Sequence, residues 1–109
     1  MAQVIFTGDE RLIKESSIYK IVLKINNGER LTNDERIFLY KEVNDIGSPQ
    51  GCVMLLGVIM DFRQVMKRYF VESDYGIVSL WAFDKASIRA SYSSKIYNIV
   101  EVPNRRIKK

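Results

Sequence analysis

The sequence predicts an α+β fold: an N-terminal helical hairpin packed on a small antiparallel sheet that ends in a β-β-α-β unit. Three observations carry that prediction. Thr32 and Glu35 stand three apart just before an apolar run, which is the capping-box spacing of a helix start. Ile18, Ile21, Val22 and Ile25 recur at i, i+3, i+4 and i+7, one stripe of a second helix. Residues 68–83 read as strand, turn and strand, and Asp84 follows as a helix cap.

Taken in order, Gln3, Val4, Ile5 and Phe6 suit a short first strand stopped by Thr7, Gly8 and Asp9; an irregular apolar arm is the competing reading. Residues 16–27 are expected to be helical, because alternation fails at Ile21-Val22-Leu23, and Asn26-Asn27-Gly28 supplies the stop. The capped helix then runs from Thr32 to about Asp45. Leu39 and Val43 lie on its inner side with Phe38 and Ile46 flanking them, and residues 47–51 break it. Gly28 to Leu31 join the two helices as an αα-hairpin.

Residues 52–60 are apolar on every side, so periodicity alone cannot separate a buried strand from a buried helix turn. Gly57 favours a strand, or a strand with a bulge. Residues 68–72 and 77–83 are rich in β-branched and aromatic side chains. Ser73, Asp74, Tyr75 and Gly76 between them are turn formers, giving a hairpin with a loop of three to four residues. A short helix over residues 85–92 and a strand over 96–102 complete an antiparallel sheet of three or four strands, and Pro103 ends it. Residues 1–103 are expected to form one domain, followed by a basic tail, 104–109.

The 109-residue chain has a net charge of +4, unevenly placed. Residues 1–50 carry seven Lys/Arg against eight Asp/Glu, and residues 51–109 carry ten against five. A basic half suits an anionic partner; a solvated basic surface is the competing reading. Cys52 is the only cysteine, so no internal disulfide forms, and its apolar run suits a small buried hydrophobe. A reducing, cytoplasmic compartment fits. The N-terminus lacks the basic and long apolar regions of a secretory signal. The longest apolar run, residues 52–60, is far short of the roughly 20 residues of a membrane span.

The sequence contains no His. That removes the commonest general base and metal ligand, and with a single Cys no tetrahedral Cys/His zinc site can be built. Ser-His-Asp and Cys-His nucleophiles are excluded, and no glycine stands at the spacing of a phosphate-binding loop. No cofactor is expected. Asp61, Asp74, Asp84 and Glu101 could converge in a carboxylate-dependent enzyme, but each has a simpler part as loop, turn, cap or strand-edge residue.

Lys67, Arg68, Lys85, Arg89 and Lys95 interleave with Tyr69, Tyr75, Trp81, Tyr92 and Tyr97. Small sheets that bind nucleic acid combine basic side chains for phosphates with aromatics for base stacking. Period-2 geometry sets Tyr69 and Val71 on one face and Arg68 and Phe70 on the other, while Ile77, Ser79, Trp81 and Phe83 share a face. Trp81 and Phe83 are therefore expected in the core, packed against the 85–92 helix. The function expected is non-enzymatic, regulatory or inhibitory binding to nucleic acid or a nucleoprotein complex. Arg68, Tyr75, Lys85, Arg89, Arg105 and Arg106 are the contact candidates, Lys85 and Arg89 sharing one helix face. The alternative is a protein–protein module without nucleic-acid contact. The apolar stripe of helix 16–27 is a candidate face for a second copy of the chain if it is not spent inside.

Overall fold

The computed structural model describes residues 2–103; Arg105 and Arg106 lie outside them. The α+β class holds, but the strands form two three-stranded antiparallel sheets rather than one sheet of three or four. The first joins β1 (Ile5–Thr7), β2 (Cys52–Leu55) and β3 (Val58–Asp61) in the order β1-β3-β2. The second joins β4 (Lys67–Ser73), β5 (Gly76–Ala82) and β6 (Ile96–Glu101) in the order β5-β4-β6. The helices are α1 (Ser17–Asn26), α2 (Asn33–Val43) and α3 (Lys85–Ser91).

Helix α1 starts at Ser16, whose hydroxyl accepts the Tyr19 N–H. Its stripe is spent inside: Ile18 and Val22 are buried, with Ile21 and Ile25 packed beside them, so it offers no face to a second copy. Helix α2 carries the complete Thr32–Glu35 capping box. Glu35 also accepts from Lys24 Nζ at 2.7 Å, tying the two helices. Leu39 and Val43 are fully buried. Ile46, expected beside them, is 99% exposed because α2 stops at Val43 and the chain turns outward at Asn44. Phe38 likewise lies at the surface.

An asparagine at the C-terminal end of each helix of this pair clips another stretch of backbone, Asn26 the residue before β1 and the cap residue Asn44 the strand β5. The Asn26 amide accepts the Val4 N–H at 2.8 Å and donates to the Val4 carbonyl at 3.3 Å. Asn44 does the same at Trp81, accepting its N–H at 2.9 Å and donating to its carbonyl at 2.8 Å. The side-chain amide thus stands in for a neighbouring strand at the outer edge of β5.

The ambiguous stretch 52–60 is a hairpin, β2 and β3, and Gly57 lies in its turn rather than in a bulge. Leu56 (φ 50°) and Gly57 (φ 81°) both take positive φ, the type I′ pattern that normally calls for Asn-Gly. Leucine is strained in that region, and Leu56 is 68% exposed, so little packing offsets the strain. Leu56→Asn is therefore expected to stabilise the fold by about 1 kcal/mol, read as a higher thermal midpoint. An unchanged or lower midpoint would count against the strain.

The core has two parts. The first gathers Ile18, Val22, Leu39, Val43, Val53, Met60 and Phe62 between α1, α2 and the first sheet. The second gathers Tyr40, Tyr69, Val71, Ala82, Ile88 and Ile99 between α2, α3 and one face of the second sheet. Asp84 caps α3 as expected, its carboxylate accepting the Ser87 N–H at 2.8 Å. Among the described residues no helix is long and apolar enough to cross a membrane.

Candidate functional site

The second sheet has one covered face and one open face. Cross-strand partners share a face. Tyr69, Val71 and Ala82, with Ile99, point toward α3 and are buried. The opposite face carries Arg68 beside Trp81, Phe70 between Ser79 and Val100, and Glu72 between Ile77 and Asn98. Its apolar members are exposed: Phe70 is 44% accessible and Ile77 70%. A hollow lined by Phe70, Glu72, Ile77, Asn98 and Val100 runs across it.

Arg68 is anchored on this face. Its Nε donates to Ser79 Oγ, and its guanidinium carbon lies 5.9 Å from the centre of the Phe70 ring. Among the described residues no carboxylate lies within ion-pairing distance of it.

Beyond Arg68 the face runs into a cleft of about 290 Å³. Arg63, Arg68, Trp81, Met66, Val102 and Pro103 wall it; Lys67 and Glu101 also border it, but from the other pleat of the sheet, with Ala82 and Tyr69. Lys67 Nζ approaches Glu101 only to 3.9 Å. Arg63 forks onto Asp61, with Nε at 2.9 Å and Nη2 at 2.8 Å. The Arg63 bonds hold the Asp61 carboxyl below its usual range, and Asp61 in turn raises Arg63. Burial pushes the neighbouring Cys52 thiol up, which keeps it protonated and unreactive near neutral pH.

Trp81 sits where the two cores meet. It packs partly buried against the first cluster, on the face turned away from α3. The expectation that it packs on the 85–92 helix fails because α3 takes the Tyr69–Ala82 side of the sheet. Phe83 also packs against the first cluster. The Trp81 indole N–H is buried without a hydrogen-bond partner.

The structure gathers only part of the sequence-based contact set. Arg68 lies on the open face, near the start of the central strand β4. Lys85 and Arg89 are exposed on α3, whose Ile88 packs on the opposite face, so they do not join Arg68. Tyr75 is 74% exposed at the β4–β5 tip, one turn beyond Ser73, itself roughly 17 Å along the strand from Arg68. The turn is shorter than expected, since Ser73 and Gly76 already pair and only Asp74 and Tyr75 lie between them. Near that tip Tyr97 donates its hydroxyl to Asp74 at 2.5 Å, and Lys95 Nζ lies 5.3 Å from its ring centre. That bond raises the Tyr97 hydroxyl above its usual range.

Arg63, Phe70 and Val100 were not singled out from the sequence. The alternation that pairs Arg68 with Phe70 was the available signal, but it does not say which face a helix will cover. The four carboxylates have separate partners: Arg63 for Asp61, Tyr97 for Asp74, the α3 cap for Asp84 and Lys67 for Glu101. Neither the protein-family models nor the curated proteins nor the solved structures contain a match to this chain.

Proposed function

We propose that this chain is a small, basic, non-enzymatic binding protein of regulatory or inhibitory type, engaging nucleic acid, alone or within a nucleoprotein complex, through the open face of its second sheet. The observation that carries this reading is Arg68. It is a cation without a carboxylate partner among the described residues, held over Phe70 and beside Trp81 on an uncovered sheet. Aromatic and guanidinium planes on an open sheet give stacking surfaces for unpaired bases, and the adjoining cations give phosphate contacts. A flat sheet face suits single strands, whose bases can splay out, better than a duplex. The exposed side chains of Lys85 and Arg89, on the other side of the sheet, are assigned to solvent.

The test is binding of labelled single- and double-stranded oligonucleotides at rising salt, followed by anisotropy. Single strands are expected to bind more tightly, with log affinity falling steeply against log salt. Arg68→Glu is expected to weaken that binding by about tenfold or more and flatten the salt slope. Lys85→Glu with Arg89→Glu is expected to change it far less. Absence of binding even at low salt, or equal loss from both variants, would overturn the assignment.

The exposed Phe70, Ile77 and Val100 favour a second reading, a protein partner seated on the same face. A partner complex that withstands high salt and is lost in Ile77→Lys would select it.

A further inference from the structure

The open face of the second sheet changes its chemistry along β4. Cross-strand pairing divides it into rows, each roughly 7 Å from the next. The first row holds Arg68 with Trp81, the second Phe70 between Ser79 and Val100, the third Glu72 between Ile77 and Asn98. The hollow lies across the second and third rows and has a volume of about 300 Å³, at the lower bound of small-ligand sites. Phe70, Ile77 and Val100 give it apolar walls, and Glu72 and Asn98 form its polar end.

Glu72 is the only carboxylate in these rows. On a face that holds strands through a cation, a carboxylate repels phosphate, and it is favourable only where the ligand brings donors. Among the described residues no Lys or Arg lies within ion-pairing distance of Glu72. Glu72 and Asn98 are both exposed, and neither side chain makes a hydrogen bond to another described residue. The third row thus offers two carboxylate acceptors and one amide, all unspent. These groups select among bases by their Watson–Crick edges. Guanine alone carries two N–H donors, N1–H and N2–H, side by side, the fork that a carboxylate takes bidentately. Its O6, next to them, accepts from an amide. Adenine and cytosine present one amino group beside a ring acceptor, and thymine or uracil flanks a single N–H with two carbonyls that a carboxylate repels.

We infer that the hollow is a base-specific subsite for an unpaired guanine of a single strand, with Glu72 accepting N1–H and N2–H and Asn98 donating to O6. The order of the rows matches the order of a nucleotide: phosphate at Arg68, ring against Phe70, base edge at Glu72. This rests on the nucleic-acid reading of the same face and adds to it a choice of base. Arg68 and Phe70 make no such choice, because every nucleotide has a phosphate and every base a π-face.

The full chain is titrated at low salt against short labelled thymine strands, followed by anisotropy. One strand is all thymine; the others carry a single central guanine, hypoxanthine, adenine or cytosine. The guanine strand is expected to bind about tenfold more tightly than all-thymine, the discrimination of one good bidentate pair. Hypoxanthine lacks the N2 amino group and is expected to lose most of that gain. Glu72→Gln, at an exposed position, is expected to cut the guanine preference to about twofold or less. The same variant should bind all-thymine as tightly as wild type or more tightly, since a negative charge has gone. A merely structural part for Glu72 would instead weaken every strand together.

Equal affinity for all the strands, a stronger preference for another base, a guanine preference kept in Glu72→Gln, or an equal loss of every strand in that variant would each overturn the subsite. If the strands bind equally, with a steep salt dependence that Arg68→Glu removes, the subsite fails and the open-face reading stands. If no strand binds even at low salt, that reading falls and the subsite falls with it.

Discussion

Replacing Phe62 by alanine is expected to cost about 3–5 kcal/mol of folding stability. Phe62 is the largest fully buried side chain among the described residues and belongs to the first core. Its backbone is tied down as firmly as its ring. The Phe62 N–H donates to the Gly51 carbonyl at 2.9 Å, and its own carbonyl accepts from Val65 at 3.0 Å and Met66 at 2.9 Å. The ring therefore anchors the turn that leads from the first sheet to the second. Truncation removes transfer free energy and leaves a cavity that this bonded turn cannot easily close. Small domains hold only about 5–15 kcal/mol in total, so the loss would be a large share of the whole. Urea denaturation should show a much lower midpoint with little change in slope. The same turn presents Arg63 and Met66 to the cleft. A cost under about 1 kcal/mol would mean that the core collapses around the gap.

The second large effect is expected at Asn44. Its amide makes three bonds: it accepts the Trp81 N–H and donates to the carbonyls of Trp81 and Tyr40, the last at 2.7 Å. Asn44→Ala strands the Trp81 groups at a part-buried edge, where an unpaired donor or acceptor costs about 1–3 kcal/mol. The expected total is about 2–4 kcal/mol, read as the shift in the urea midpoint. Asn44→Asp is the sharper control. It keeps the acceptor for the Trp81 N–H but sets a carboxylate oxygen against two carbonyls, so it should do no better than alanine. If aspartate restored wild-type stability, the donor half of the clip would be shown to contribute nothing. Because Asn44 holds the backbone under Trp81, both variants should also alter the tryptophan emission of the folded protein.

Local chemistry made much of this fold legible. Thr32 and Glu35 marked α2, Asp84 marked α3, and the run from Arg68 through Gly76 to Phe83 marked the β4–β5 hairpin, since each signal lies within a few residues of the structure it causes. The β2–β3 hairpin was hidden for the opposite reason. Its turn puts Leu56 where Asn would announce it, and its strands are only four residues each. The division into two sheets was also beyond local reading, because it depends on pairing Ile5 with Asp61 and Val71 with Ile99. The candidate site followed the same rule. Alternation placed Arg68 with Phe70 correctly. Whether that pair faced solvent or a helix depended on α3 docking through Ile88, a tertiary choice. Lys85 and Arg89 were grouped with Arg68 by nearness in sequence, and the sheet lies between them.

The β1–β3 ladder sets an order on the making of this protein. Ile5 through Thr7 pair with Asp61 through Ile59, so the first strand has no partner until more than half of the chain has been synthesised. Until then Val4 and Phe6, and the Ile18–Val22 side of α1, must wait with apolar surface uncovered. The hairpins close early because their loops are short, and this nonlocal pairing closes late. A nascent chain that stalls before residue 61 therefore presents an unpaired strand beside an unburied helix, the combination most exposed to chaperones and to misassembly.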